Sequence, residues 1–359
     1  MPLPSATTTF TQLASTYLDN YQTRLNNAVK RADGVTKVLF AKGAVEEETG
    51  GGEFFLERVM YGVNPNVAWR GKNDQIDTLP NEGVTMARVQ QRIIDGTIVL
   101  NRVDRDRAIS SGDWAIGKLV EDAMMMAQNG YVQTWADSLR ADSAAANDPF
   151  TLLPSSNANS ANGILAPIAP ASQTATTAGI SRLEFSWWRN QYTTTSIDIS
   201  TEAGRASLHS LAYLPCVFGG ASLEDEPDFG LASGTIIADL SAAIDTTRRG
   251  GYDDKFLGQL GLRGVVFQNA SLIRDAATKL NNKVAFINTR YLKLKFLRPA
   301  SGNFQRENWN QDNGMGEIPV SVSSFERDRD SLNDIAIFYA VASLVPLGLR
   351  NHGLADNVI

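Results

Sequence analysis

Histidine and cysteine are nearly missing from this chain. Its 359 residues include one cysteine, Cys216, and two histidines, His209 and His352. A lone cysteine excludes an intramolecular disulfide and fits an intracellular origin. A zinc site takes several Cys, His or acid ligands gathered in space, and this inventory does not supply them. A nucleophilic triad needs a histidine beside a hydroxyl and an acid. His209 falls in the helical run ASLHSLAYL and His352 in a tail loop, so both are read as surface or internally satisfied side chains. A basic excess is also missing. There are 33 Lys and Arg against 39 Asp and Glu, for a net charge of −6, which argues against a dedicated nucleic-acid binder. Nor is there a long apolar run. The longest stretch, Ile335–Leu347, contains Ser343 and Pro346 and falls short of the ~20 residues that span a bilayer. It reads as one or two buried strands. The N-terminus, MPLPSATTTFTQL, has no charged segment ahead of an apolar one. The expectation is a soluble cytoplasmic protein. With 43% hydrophobic and 20% charged residues the chain folds, and its length exceeds one ordinary core, so two domains are expected.

What the chain does have is pattern without chemistry. In Tyr291–Phe296, Leu292, Leu294 and Phe296 alternate with Lys293 and Lys295, the period of a half-buried strand. Ile116, Val120, Ala123, Ala127 and Tyr131 recur at helical spacing. They predict a long helix from about Gly112 to Arg140, with Ser110 and Asp113 as a capping pair. Ahead of it, Glu53–Gly62 reads as a short helix or strand. Asn66–Arg70 and Val84–Leu100 read as the arms of a long hairpin around the turn-rich GKNDQIDTLPNEG. That hairpin carries Lys72, Asp74, Asp77, Glu82, Arg88, Gln90, Gln91 and Arg92. A two-stranded hairpin with so little apolar cover is marginal in water and needs another surface, its own core or a neighbouring subunit. Thr11–Arg31 shows a weak helical pattern in an arm-like N-terminus. The Ala-, Ser- and Asn-rich stretch at 144–175 marks a boundary. A second domain begins near Ile180, with a helix over Thr201–Leu214 and a strand plus helix in PDFGLASGTIIADLSAAID. The chain then returns to the first domain through Gly261–Pro299, and Asp330–Leu349 supplies its last strands.

The search for catalytic or binding motifs ends in packing explanations. GDWAIGKL (residues 112–119) is one residue short of a phosphate-binding loop: Leu119 replaces the magnesium-holding hydroxyl, and the match lies inside the helical pattern. Gly258, Gly261 and Gly264 have turn spacing. Glu224, Asp225 and Glu226 read as a solvated acidic turn rather than a metal site. Met124–Met126 reads as helix packing, and Trp187–Arg189 as anchoring aromatics rather than a stacking platform. The sequon at Asn269 is incidental in a cytoplasmic protein. No catalytic, cofactor-binding or metal-ligating residue is assigned and no cofactor is expected.

The order of the pieces resembles a known family. A polar extended loop precedes a long helix, NGILAPIAP (162–170) leads to SWWRNQY (186–192), and PDFGLAS (227–233) opens a strand and helix. GLRGVVFQNASLIRDAA, VAFINTRYLKLKFLRPASGNF and DSLNDIAIFYAVASLVPLGLRNHGLADN close the chain. Over about residues 50 to 357 this set is similar to the major capsid proteins of tailed bacteriophages with the Hong Kong 97-type fold. The resemblance implies an α+β chain with an N-terminal arm (1–50) and a peripheral domain in two parts (51–162 and 256–359). The first part holds an extended loop (63–99) and a spine helix (111–141), and an axial domain (163–255) lies between the parts. It implies self-assembly into hexamers and pentamers of an icosahedral virion capsid, assembled in the host cytoplasm. The implied partners are further copies of the chain, a portal protein, a scaffolding protein, a cement or decoration protein, and packaged double-stranded DNA held by weak non-specific contact. No membrane is involved. An encapsulin-like cargo shell shares the fold and is the alternative. Some relatives join a loop lysine to an asparagine of a neighbour. Lys72, Asn351 and Asn357 are the matching types here, and are read as an ordinary surface charge and surface amides.

Overall fold

The computed structural model describes residues 33–48, 52–61, 83–111, 113–139, 176–193, 195–219, 226–245, 264–267, 270–275, 282–297, 321–323, 326–327, 333–355 and 357–359. The arm pattern at Thr11–Arg31, the hairpin arm Asn66–Arg70, Lys72, the acids Glu224 and Asp225, and Asn269 lie outside these residues.

The first helix, α1 (Gly34–Ala41), starts at a built cap. The Asp33 carboxylate accepts from the Thr36 N–H at 2.7 Å and from its hydroxyl at 2.5 Å. The Thr36 hydroxyl in turn accepts from the indole N–H of Trp135 at 3.0 Å, which ties α1 to the long helix. Strands β1 (Val45–Glu48), β2 (Phe54–Met60), β3 (Val84–Gln90) and β4 (Arg92–Asn101) follow. A polar helix α2 (Arg102–Ser111) then runs into the long α3 (Asp113–Leu139). The helix α2 was not expected: it carries no apolar stripe for a periodicity reading to find. It also corrects the proposed cap, because Ser110 sits inside α2 with its hydroxyl on the Arg107 carbonyl at 2.7 Å.

On α3 the foreseen face is real, with Val120 and Tyr131 buried and Ala123 and Ala127 half-buried; the side chain of Ile116 is outside the described set. The strongest anchor is a residue the spacing did not include. Trp135 is fully buried, stacked on Phe296 at 5.8 Å, and Tyr131 meets Phe338 edge-on at 5.5 Å. Met124 is buried, whereas Met125 and Met126 are exposed, so only the first of that run packs.

Beyond α3 come the two-residue strands β5 (Thr176–Thr177) and β6 (Ile180–Ser181), then β7 (Gln191–Thr193) and α4 (Glu202–Gly219). Next are β8 (Phe229–Ser233), α5 (Gly234–Asp245), β9 (Gly264–Phe267), β10 (Ala270–Asp275), β11 (Val284–Ile287) and β12 (Leu292–Leu297). Strands β13 (Ser321–Val322), β14 (Glu326–Arg327), β15 (Asn333–Pro346) and β16 (Gly353–Ala355) complete the chain.

Two six-stranded sheets organise the molecule. In the first, β15 is central: β12, β13 and β14 lie along one edge and β4 along the other. The long apolar run at the end of the chain is therefore one 14-residue strand. Gly96 of β4 faces the ring of Phe338, where an added Cβ would stand 2.3 Å from the ring carbon, so only glycine lets the two strands close. The second sheet has the order β7-β16-β11-β8-β10-β9. Its composition corrects the expected return at Gly261 and the boundary at residue 255. Strands β9, β10, β11 and β16 share this sheet with β7 and β8, and among the described residues of the Gly261–Pro299 stretch only β12 joins the first sheet. Strands such as β8 and β11 are buried on every residue, so no alternation in them tells which sheet they enter.

The sheets are not separate cores. One cluster unites α1, α3, β4, β12 and β15 with Phe229, Ile273 and Ile287 of the second sheet. The other face of the second sheet is covered by α4 and α5 through Leu208, Leu211, Ile236 and Leu240. A third cluster lies under β2 and β3.

Candidate self-association surface

Strands β2 and β3 form the hairpin, in register from Phe54 opposite Gln90 to Met60 opposite Val84. The expected loop at 63–99 is therefore divided. The arm paired with β3 is Phe54–Met60, and residues 92–99 belong to β4 in the core sheet. Alternation splits the hairpin cleanly. Phe55, Val59, Ala87 and Val89 point down into the third cluster with Ala178, Ile180, Trp188, Val345 and Leu349. The opposite face carries Leu56, Met60, Val84 and Met86 together with Arg58 and Arg88, all exposed; Met60 is 79% exposed. The root of the hairpin is thus tied to its own subunit, while its outer face covers nothing among the described residues.

The tie is partly electrostatic. Glu57, on the underside of β2, pairs with the ammonium of Lys295 on β12, which also lies 3.2 Å from the Glu48 carboxylate on β1. The Lys295 side chain is 7% exposed. Burial alone would lower its pKa, but the hydrogen bonds and charges of Glu57 and Glu48 outweigh that, and the net shift is upward. The alternation read in the sequence is present, with Leu292, Leu294 and Phe296 in the main core; the lysine on the other side is covered by the hairpin. Main-chain and hydroxyl contacts add to the clamp. Ser343 donates to the Gln90 carbonyl at 2.7 Å, and the Arg88 N–H donates to the Ala178 carbonyl at 2.8 Å. Tyr61 stacks on Trp187 at 4.7 Å.

A second face left uncovered among the described residues lies on the first sheet. The side chains of β4 and β15 that point away from the core include Ile93, Val99, Ile337 and Tyr339, each between 42% and 57% exposed. Asp95, opposite Tyr339, supplies the negative charge among them. The hairpin face is thus apolar with arginines, and the sheet face is apolar with an aspartate. Contiguous exposed apolar surface of this kind marks a contact site.

The other sequence candidates fall elsewhere. His352 is buried rather than in an exposed loop. Its Nδ1 accepts from the Asn288 N–H at 3.2 Å, and burial pushes its pKa down to about 4. It stays neutral at ordinary pH. His209 is half-buried on α4. The residues of GDWAIGKL from Asp113 on are helical, so their N–H groups run along the helix. Of the WWR run, Trp188 is fully buried and donates to the Thr177 carbonyl at 3.0 Å, the anchor expected. Trp187 instead lines an open cleft of about 620 Å³ with Arg189, Tyr192 and Arg350. Asn351 is 2% exposed, which removes it from reach of a neighbour's lysine, and Asn357 is half-buried. Arg182, which no pattern singled out, is fully buried, and desolvation lowers its pKa to about 9. Among the described residues no cluster of three or more His, Cys, Asp or Glu could hold a metal ion, and no helix is long and apolar enough to cross a membrane.

No family model matches this sequence, nor does any curated protein. Solved structures do match. The capsid asymmetric unit of cyanophage A-1(L) aligns with a TM-score of 0.59 at 13% identity, covering 90% of this chain and 92% of the other. The capsid of a native GTA particle aligns with a TM-score of 0.51 at 9% identity, covering 89% and 90%. The procapsid of satellite phage P4, solved with its size determination protein Sid, aligns at 0.49 and 10% identity over 94% and 90%. The first two of these, each matched over about nine-tenths of both chains, give this chain the α+β fold of phage major capsid proteins.

Proposed function

We propose that this protein is the major capsid protein of a tailed-phage type of virion, a shell subunit that assembles with copies of itself into hexamers and pentamers around double-stranded DNA. The observation that carries the reading is the pair of unpartnered faces on one chain. An apolar, arginine-bearing hairpin face and an apolar, aspartate-bearing sheet face are complementary to each other, and a hairpin clamped at its root cannot fold back to satisfy both. Contact between unlike patches of successive copies is head-to-tail and closes into rings when the rotation allows. Several modest contacts per copy then add by multivalency. In this arrangement the first sheet with α3 forms the peripheral part, and the second sheet with α4 and α5 forms the axial part. A scaffolding protein, a portal and a decoration protein are the further partners, with assembly in the host cytoplasm. DNA is held by weak contacts, consistent with the acidic balance of the chain.

Electron microscopy of the expressed protein, with and without a scaffolding partner, tests the reading. Closed shells are the expected result. Monomers under every condition would refute it, and shells filled with a specific protein rather than DNA would reassign the chain to a cargo compartment.

A further inference from the structure

Strand β4 is ten residues long and borders the first sheet. Its only pairing among the described residues is with β15. The direction of its remaining hydrogen-bonding groups follows from one residue of β15. Ile337 donates its N–H to the Ser323 hydroxyl at 2.9 Å and accepts from the Ser323 N–H at 2.7 Å. Its backbone groups therefore face the β13 side, away from β4. Thr97 is the residue opposite Ile337, and in an antiparallel ladder opposed residues face each other or turn away together, alternately along the strand. Hence the N–H and C=O groups of Thr97 point to the open edge, as do those of Ile93, Asp95 and Val99. Those of Ile94, Gly96 and Ile98 are spent on β15.

A long strand of this composition, RIIDGTIVLN, is a ready template for another strand. Folded proteins usually blunt such an edge with proline, lysine, a bulge or shortness, and β4 has none of the first two and is not short. The same residues that offer their backbone outward present Ile93 and Val99 on the exposed sheet face. A strand added here would extend that face and cover part of it.

We infer that the open edge of β4 is completed in the shell by an extended segment of a second copy of this chain, so that the sheet continues from one subunit into the next. This rests on the shell reading and adds main-chain pairing to it. The chain flanking β4 is in no position to fill the edge, since β4 follows β3 through Gln91 alone and passes straight into α2 at Arg102. The complementary chemistry for the adjoining face, apolar residues with Arg58 and Arg88 beside an Asp95-bearing sheet, sits on the same chain and so on every neighbouring copy.

Amide hydrogen exchange on the full-length protein, dispersed and assembled, tests it. In the dispersed chain Ile94, Gly96 and Ile98 should be protected while Ile93, Asp95, Thr97 and Val99 exchange freely. Assembly should protect the second set as well, by about 100-fold or more if each opening costs about two factors of ten. A companion variant, Thr97→Pro, removes an outward N–H at a place where an edge strand tolerates proline; Thr97→Val keeps it. The proline variant should raise the concentration needed for assembly about tenfold or more, with the valine variant near wild type. Shells whose odd-numbered β4 amides stay fast would overturn the inference and leave the shell reading standing. Protection of those amides already in the dispersed chain would assign the edge to the chain's own residues and also overturn it. Failure of the wild type to form shells would remove the shell reading, and this inference with it.

Discussion

Replacing Lys295 with methionine tests the clamp at the hairpin root. The side chain keeps nearly the same volume and length and loses only its charge. Glu57 and Glu48, whose side chains are 21% and 29% exposed, then face each other across β12 without a cation. Removing one member of a fully buried ion pair costs about 3–5 kcal/mol. Water reaches these carboxylates and screens them, so the loss falls below that range, at about 2 kcal/mol. The double variant Lys295→Met, Glu57→Gln removes the orphaned charge nearest the lysine and should recover at least half of that loss. With Glu57→Gln measured alone to complete the cycle, urea unfolding of the dispersed chain should give a coupling energy of about 1–2 kcal/mol. Exchange at Arg88 and Gln91, whose N–H groups hold the hairpin root to Ala178 and Glu53, should speed up in the single variant before the rest of the sheet does. A Lys295→Met protein as stable as wild type, or strictly additive single variants, would refute the clamp. The upward pKa shift gives the same contact a pH signature. The native state holds this proton more tightly than the unfolded chain does, so the contribution is present below the ordinary lysine pKa of 10.5 and fades as pH rises beyond it.

His352 titrates in the opposite sense: it is held neutral in the fold down to about pH 4 while the unfolded chain protonates near 6.5. Stability should therefore fall as pH drops through that window, by up to about 3 kcal/mol, and His352→Gln should flatten that part of a stability-versus-pH curve measured by denaturant unfolding. Trp135→Ala should cost about 4 kcal/mol, from the lost stack on Phe296, the hydrogen bond to Thr36 and the cavity left behind; chemical denaturation measures it, and a loss under about 2 kcal/mol would show that the core collapses around the gap. Gly204 lies in the first turn of α4, where a Cβ would stand 1.8 Å from the Asp198 carbonyl oxygen. Gly204→Ala should lower stability by about 2 kcal/mol with no loss of helix content by circular dichroism once refolded.

Much of the local structure was legible in the residues themselves. Thr201 was read as the start of a helix, and its hydroxyl accepts from the Gly204 N–H at 3.1 Å as a cap does. The alternation at Leu292–Phe296 and the helical stripe from Val120 to Tyr131 name buried faces that the fold uses. These patterns are short-range consequences of 2.0 and 3.6 periodicities, so sequence spacing is enough to show them. Helix α2 escaped because its few apolar residues form no stripe, and the buried Arg182 escaped because a single arginine carries no sign of its burial.

By itself the sequence determined that this is a folded chain without an internal disulfide and poor in catalytic side chains. Tertiary structure alone decided which strands share a sheet, that Phe54–Met60 and not a later segment is the partner of β3, that Lys295 meets Glu57 across the hairpin, and that β4, among the described residues, ends a sheet with its backbone facing outward. The reason is physical. Periodicity fixes which way a side chain points relative to its own element, whereas pairing between strands far apart in the chain is settled by the shape and burial of the whole, which no window of neighbouring residues contains.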